Sequence, residues 1–181
     1  MENKVLLDSE LLNITLNRLC YQLIENHHSF DQAVLIGVQP RGIYFSRRIH
    51  QRLKEITGNN SIRHGILDIT FHRDDFRRRD ELLVPTTTEI DFIIEDKNVI
   101  LVDDVLYTGR TIRAAMDAIL AFGRPRHVEL LVLVDRKFSR ELPVQADYIG
   151  TSVDAITSQK VKVKWMENEG MDEVVLYTPK P

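Results

Sequence analysis

The sequence contains a single cysteine, Cys20, among 181 residues. One cysteine cannot form an internal disulfide, and it leaves a cysteine-based structural zinc site without its ligands. We therefore expect a protein of the reducing cytoplasm. No basic stretch followed by an apolar run begins at Met1, and no apolar run has membrane-spanning length, so we expect neither a secretory signal nor a membrane partner.

Excess positive charge is also absent. The chain has 24 Lys and Arg residues and 27 Asp and Glu residues, for a net charge of −3. No global positive field would recruit nucleic acid or an anionic membrane, although a local basic face remains open. His64, His72 and His127 lack partners at metal-ligand spacing, so we expect no metal site made by protein side chains alone. With no repeat and no Gly/Ser-rich linker, the chain is predicted to be one domain over residues 1–181.

Apolar periodicity predicts an alternation of strands and helices. Helices are expected over about 9–25, 43–56 and 111–122, with Asp8 or Ser9 as the first N-cap. Continuously apolar strands are expected over 33–36, 99–102 and 128–134, a half-buried strand over 62–71, and short strands near 148, 161–163 and 174–177. This order is typical of an α/β fold whose parallel sheet is covered on both faces. The charged segment 72–88 has neither the helical nor the strand periodicity, and we expect it to be functional or mobile.

The segment Val99–Thr111 carries the strongest functional signal. A buried strand leads into Asp103 and Asp104, a Thr-Gly turn and a helix start. Adjacent carboxylates can accept hydrogen bonds from a vicinal diol or hold a divalent cation, and the amides of a helix N-terminus favour a phosphate. The alternative, a strand end followed by an N-cap, explains each feature alone but not their combination. The chain contains neither a P-loop nor a Gly-x-Gly-x-x-Gly motif, so the pattern indicates a receptor for ribose 5-phosphate.

The same segment resembles the signature of type I phosphoribosyltransferases. Its residues are similar to those of one branch, the pyrimidine operon attenuator / uracil phosphoribosyltransferase family. The similarity runs from about residue 7 to 163 and includes Gly37–Gly42, Val134–Arg136 and Arg140–Gly150. It implies a central parallel sheet with helices on both faces, and a small hood with a flexible loop at roughly residues 62–93. It also implies the conversion of uracil and phosphoribosyl diphosphate to UMP and diphosphate, with Mg²⁺ accompanying the diphosphate substrate.

The resemblance assigns roles residue by residue. Asp103, Asp104 and Arg41 are the expected catalytic residues. Ribose and its 5-phosphate would be bound by Asp103, Asp104, Val105, Leu106, Tyr107, Thr108, Gly109, Arg110 and Thr111. Diphosphate would be bound by Pro40, Arg41 and Arg73, and the base by Arg136 and Val161. From the residues alone, Gln39–Gly42 is expected to be an ordinary turn, and only the resemblance reverses this. Val161 could equally be plain core, and Arg77–Arg79 is expected to be a solvated face.

Two departures bear on the substrate and on regulation. The related 6-oxopurine enzymes carry an acid before the Thr-Gly pair where this chain has Tyr107, which favours a pyrimidine base. Family members that bind messenger RNA are expected to present a basic surface, but here it is thin, with Arg18 and Arg140 as its candidate contacts. Rival functions are an RNA-binding attenuation regulator with little catalytic activity, and a nucleotide-sensing subunit for a protein partner, which no feature supports. We also expect a homo-oligomer, a dimer or higher.

Overall fold

The computed structural model describes residues 4–74, 87–156 and 158–179. In chain order the elements are β1 (Lys4–Leu7), α1 (Ser9–His27), β2 (Ala33–Val38), α2 (Gly42–Thr57), β3 (Arg63–Leu67), β4 (Asn98–Leu106), α3 (Arg110–Ile119), β5 (His127–Lys137), β6 (Tyr148–Asp154), β7 (Lys160–Lys164), α4 (Met166–Glu169) and β8 (Glu173–Tyr177), with short 3-10 turns at Thr70–His72 and Leu120–Phe122.

The apolar runs form a parallel sheet of five strands in the order β3-β2-β4-β5-β6. Leu35 pairs with Ile100 and Val102 with Leu131, so the three most apolar strands lie side by side at its centre. Because all five strands are parallel, their carboxyl ends share one edge, which is where an open α/β sheet binds ligands. The predicted parallel α/β architecture is confirmed.

Side chains alternate between two cores, one on each face of the sheet. Leu35, Ile100 and Val102 pack with Leu16 of α1 and Phe45 of α2 on one face. On the other face the core contains Val34, Ile36, Val99 and Leu101 together with Ile112 and Ala115 of α3. Cys20 is fully buried on α1, as expected of a small apolar residue. The predicted covering of both faces by helices is confirmed.

Local chemistry fixes the helix ends. Asp8 is the N-cap of α1, and its Oδ1 accepts from the backbone N–H of Leu11 at 2.9 Å. Helix α2 ends at Gly58, whose φ of 68° is the left-handed conformation that terminates helices. None of the described helices is long and apolar enough to cross a membrane.

Strand β3 is shorter than predicted. It ends at Leu67, because the Asp68 carboxylate accepts from both the backbone N–H of Thr70, at 2.9 Å, and its hydroxyl, at 2.6 Å. This local turn competes with the strand and ends it.

The prediction of a hood built partly from residues 62–93 is wrong for Arg63–Leu67, which forms an edge of the main sheet. A second, smaller sheet is instead built from both ends of the chain, in the order β1-β8-β7, with antiparallel pairing. Its Leu7, Val163 and Val174 belong to the same core as α1 and α2. The remainder of the expected flexible loop, at residues 75–86, lies outside the described residues.

Candidate active site

Two buried aspartates lie within β4, at the carboxyl edge of the sheet. Asp103 and Asp104 are 6% and 5% exposed. The backbone N–H of Asp104 donates to Asp103 Oδ1 at 2.9 Å. Gly42, the first residue of α2, packs directly on them, since a Cβ there would lie 2.5 Å from the Val102 carbonyl oxygen and 3.2 Å from Asp103 Oδ1. Glycine at this position therefore lets the start of α2 approach the acidic pair.

The electrostatics of the pair resemble those of a ligand site. Burial, and next the charge of Asp104, raise the pKa of Asp103 well above its ordinary value. Burial also raises the pKa of Asp104, against the opposing charge of Arg41. A folded protein gains nothing from two desolvated, mutually repelling carboxyls. Such perturbed groups cluster where a ligand or substrate supplies the missing partners.

A tight loop follows the acidic pair and leads into α3. Gly109 has a φ of 91°, a conformation that disfavours other residues, and α3 begins at Arg110. The loop surrounds a cavity of about 260 Å³. Its lining comprises Arg73, Asp74, Asp103, Val105, Leu106, Tyr107, Thr108, Gly109, Arg110, Thr111 and Ile112. Hydroxyls, backbone amides and a helix N-terminus around one small cavity suit a phosphate group.

The segment that follows β5 supports this loop from outside. The Arg140 guanidinium donates to the carbonyl oxygens of Tyr107, Leu106 and Arg136, to that of Val144 at 3.0 Å, and to the Asp135 carboxylate. The backbone N–H groups of Glu141 and Leu142 donate to the Thr108 carbonyl at 3.0 and 3.2 Å. The Glu141 carboxylate also accepts from Arg110 Nε at 2.6 Å. Sequence reasoning assigned none of these supporting contacts, and those that reach the loop at Leu106–Arg110 join segments about thirty residues apart.

A second cavity, of about 570 Å³, opens beside the first. Both cavities are lined by Val105 and Tyr107, while Asp103 lines the first and Asp104 the second. The acidic pair thus lies at the junction of the two. The second cavity is lined by Arg41, Asp104, Val105, Tyr107, Arg136, Gln159, Lys160, Val161, Lys162 and Tyr177. It brings together both residues predicted to bind the base, Arg136 and Val161.

Arg136 is buried, at 4% exposure, and its guanidinium lies 4.0 Å from the centre of the Tyr107 ring. One terminal nitrogen donates to the Gln159 carbonyl at 3.0 Å. Its Nε is buried, and no hydrogen-bond acceptor reaches it within the described part of the chain. A buried donor without a partner costs roughly 1–3 kcal/mol.

The three predicted diphosphate-binding residues do not converge on one cavity. Pro40, which follows a cis peptide bond, and Arg41 are exposed and directly precede α2, and Arg41 lines the second cavity. Arg73 lines the first cavity instead, near enough to Asp103 for its charge to oppose the rise in the pKa of that carboxyl. Arg77–Arg79 lies outside the described residues.

The two predicted RNA contacts are both engaged with backbone carbonyls. Arg18 is exposed on α1 and donates to the carbonyls of Ile149, at 3.2 Å, and Gly150, at 2.5 Å. Arg140 makes the five contacts described above, and its side chain is 24% exposed. Arg18 therefore keeps more of its surface available to a partner than Arg140 does.

Within residues 4–74, 87–156 and 158–179, no three His, Cys, Asp or Glu side chains are grouped so as to hold a metal ion. The two aspartates nevertheless offer adjacent carboxylate oxygens, which are the ligands that Mg²⁺ prefers. They fit a magnesium ion whose remaining ligands come from a substrate. Protein side chains alone do not complete its coordination.

The fold and this pair of cavities define a phosphoribosyltransferase. The family model described as the phosphoribosyl transferase domain matches residues 2–173. The chain is 47% identical over 173 residues to "Bifunctional protein PyrR" of Desulfosudis oleivorans, covering 96% of this chain and 95% of that protein. It is 44% identical to the protein of the same name from Elusimicrobium minutum, covering 96% of each. The chain belongs to the PyrR family of phosphoribosyltransferases.

Solved structures agree at the level of the fold. A hypoxanthine phosphoribosyltransferase of Staphylococcus aureus superposes with a TM-score of 0.69 at 19% identity, covering 98% of this chain and 93% of that one. Identity this low shows the shared fold alone. Together with the family match it confirms the predicted type I phosphoribosyltransferase fold and the family expected from the sequence.

Proposed function

We propose that this protein transfers the 5-phosphoribosyl group of phosphoribosyl diphosphate to uracil, giving UMP and diphosphate. The acidic pair at the junction of the two cavities carries the proposal. The 5-phosphate is assigned to the first cavity, the ribose hydroxyls to Asp103 and Asp104, and the base to the second cavity. A ribose nucleotide needs this order of phosphate site, diol site and base site, and membership of the PyrR family supports the same reaction.

The protein's part in the chemistry is to position groups and to stabilise charge. The bond from ribosyl C1′ to the diphosphate oxygen breaks, and diphosphate leaves with the bonding pair. The bond from C1′ to uracil N1 forms, and the N1 proton passes to the departing diphosphate or to solvent. Asp103 and Asp104 orient the ribosyl group by accepting from its hydroxyls, while Arg41 binds the departing diphosphate through charge-assisted hydrogen bonds. Mg²⁺, held by oxygens of this pair and of the substrate, would neutralise part of the diphosphate charge.

The second cavity supports a pyrimidine as the acceptor. The Arg136–Tyr107 stack lines it, and the Arg136 guanidinium offers charged donors to a pyrimidine carbonyl. The related 6-oxopurine enzymes have an acidic residue at the position of Tyr107. In this chain no carboxylate is available at that position to interact with a purine ring nitrogen. We assign Arg136 and the backbone near Val161 to recognition of uracil.

Formation of the nucleoside monophosphate from uracil, orotate or hypoxanthine, which is UMP, orotidine monophosphate or inosine monophosphate respectively, is measured side by side with phosphoribosyl diphosphate and Mg²⁺ to test the reaction. We expect turnover with uracil at least a hundredfold above the other two bases, since a site built around hydrogen bonds strongly rejects a mismatched ligand. Equal or faster turnover of hypoxanthine would contradict the base assignment.

The regulatory function rests on the relatives, which are named bifunctional proteins. We propose that UMP at this site promotes binding to a leader transcript of the pyrimidine operon, with Arg18 contributing to the RNA surface.

We also propose that the protein is a homo-oligomer. The outer face of α1 supports this, because Leu11, Ile14 and Tyr21 are 48–56% exposed along it. Light scattering of the purified protein tests the oligomer.

A further inference from the structure

The second cavity is strongly basic. Four basic residues line it, Arg41, Arg136, Lys160 and Lys162, against one acidic residue, Asp104. The whole chain carries a net charge of −3, so this concentration of positive charge is local. A base such as uracil is neutral and does not require four cations. Diphosphate carries several negative charges, so the two basic residues not yet assigned, Lys160 and Lys162, are candidates to bind it.

Lys162 enters this cavity from the smaller sheet. Along β7 the side chains alternate, so Val161 and Val163 pack against the core while the lysines face the opposite way. The Lys162 ammonium binds the Glu169 carboxylate of α4 at 2.8 Å, with side chains 34% and 31% exposed. The next lysine on the same face, Lys164, binds Glu173 at 2.7 Å and does not line the cavity. Both lysines therefore lie on β7 and each binds a glutamate, but only Lys162 lines the cavity.

Glu169 connects Lys162 electrostatically to Arg41. The hydrogen bond from the Lys162 ammonium lowers the pKa of the Glu169 carboxyl, and the charges of Arg41 and, after it, Lys164 act in the same direction. Glu169 therefore lies within the field of the arginine to which we assign diphosphate. A carboxylate at this point shields two cations from each other while no anion is bound.

We propose that Lys162 is an additional diphosphate-binding residue, and that Glu169 holds its ammonium beside Arg41 until a diphosphate oxygen replaces the carboxylate. This rests on the proposed function, since it assigns the diphosphate to the same cavity. The exchange is feasible because a partly exposed lysine–glutamate pair contributes little stability of its own. The flexible four-carbon stem of lysine lets the ammonium move from one acceptor to the other.

The proposal predicts opposite effects for the two partners. Lys162→Met removes the cation and should weaken binding of Mg²⁺–diphosphate by roughly three- to tenfold. Glu169→Gln releases the ammonium from its carboxylate and should strengthen binding by about two- to threefold. Lys164→Met, the matched control, should leave diphosphate affinity unchanged. A pair that merely stabilises the small sheet would instead give losses of similar size in Lys162→Met and Glu169→Gln, together with lower melting temperatures.

Isothermal titration of the full-length protein with Mg²⁺–diphosphate measures these affinities, and steady-state kinetics adds a second readout. In Lys162→Met the KM for phosphoribosyl diphosphate should rise while the KM for uracil stays within about twofold. Unchanged diphosphate affinity in Lys162→Met, or a change matched by Lys164→Met, overturns the proposal even where the wild type makes UMP. A wild type that binds diphosphate without using uracil contradicts the proposed reaction, yet still tests Lys162. A wild type that does not bind diphosphate overturns both.

Discussion

Asp103 and Asp104 are held side by side by a hydrogen bond from the Asp104 backbone N–H to Asp103 Oδ1 at 2.9 Å. The bond fixes the Asp103 carboxyl at the junction of the cavities, where burial raises the pKa of both aspartates and the charge of Asp104 raises that of Asp103 further. The arrangement is unfavourable in the free protein. Its benefit arises when a ribose diol or a magnesium ion supplies the missing partners.

We expect Asp103→Asn with Asp104→Asn to abolish UMP formation while preserving the fold. Because the folded pKa values lie above the ordinary value of 3.8, the wild type loses stability as pH rises through them. The double variant avoids this loss. Its melting temperature should exceed that of the wild type by a few degrees at pH 7.5, an effect of about 0.5–2 kcal/mol. Below about pH 3.5 the difference should vanish, because the carboxyls are then neutral in both folded and unfolded wild type.

Circular dichroism melts at the two pH values and a UMP assay check this prediction. Near-normal turnover in the double variant would show that the two aspartates are not required for the reaction. A lower melting temperature at pH 7.5 would show that the fold depends on the carboxylates.

Thr111→Ala should weaken binding of phosphoribosyl diphosphate more than binding of uracil. Thr111 lines the phosphate-sized cavity in the first turn of α3. A lost hydrogen bond to a charged group costs about 1.5–3 kcal/mol, or roughly ten- to a hundredfold in affinity. Titration with each substrate measures the two effects, and the melting temperature without ligand controls for damage to the start of the helix. An equal fall in uracil affinity would be inconsistent with a phosphate role.

The acid stability of the fold should depend on His64. Its ring is largely buried between β3 and α2, 4.9 Å from the ring of His50, and its Nε2 lies 3.0 Å from the Ser46 hydroxyl. Burial, followed by the charges of His50 and Arg47, lowers the pKa of His64 from 6.5 to about 4. Protonation therefore favours the unfolded state, and stability present above pH 6.5 is lost as pH falls towards 4.

Urea denaturation at pH 7.5 and pH 5 should show the wild type losing stability on acidification. In His64→Gln the loss should be smaller by up to about 2 kcal/mol, because one pKa unit corresponds to about 1.4 kcal/mol. His27→Gln, far from this pair, provides a comparison for general histidine effects. An equal pH dependence in wild type and His64→Gln would rule out this histidine as a source of acid sensitivity.

The sequence predicted most of the fold, because continuous apolar strands and amphipathic helices leave a direct periodic signal. It also located the acidic pair and the loop to which we assign the 5-phosphate, since those features are contiguous from Val99 to Thr111. It did not predict β1, because Lys4–Leu7 has little period of its own and is defined by pairing with β8 at the other end of the chain. The contacts of Arg140 with the Tyr107 loop were missed for the same reason. Lys162 was missed because a lysine on an alternating strand looks like an ordinary solvated residue.

The last prediction concerns Arg140, which the sequence suggested as an RNA contact. Its guanidinium donates to the carbonyls of Tyr107 and Arg136, so it fixes both members of the stack that lines the base cavity. We expect Arg140→Ala to lower kcat for UMP formation at least tenfold and to reduce stability by about 1–3 kcal/mol, because several partly buried acceptors lose a charged donor together. Arg140→Lys should not restore activity, since an ammonium cannot reproduce the planar fork of donors.

RNA binding distinguishes this role from the one first suggested. The thin basic surface predicts weak binding of generic RNA at physiological salt, with Arg18 contributing one phosphate contact. Arg18→Ala should therefore flatten the dependence of log affinity on log salt by somewhat less than one unit, because about 0.7 counterion is released per phosphate on a single strand. Arg140→Ala should leave that slope unchanged and weaken only the stimulation by UMP, since its effect passes through the nucleotide site. Filter binding to the organism's own pyrimidine leader RNA, across a salt series with and without UMP, provides the measurement. If Arg140→Ala flattened the salt dependence and kept a normal kcat, Arg140 would be an RNA contact. Its proposed role in supporting the Tyr107 loop would then be wrong.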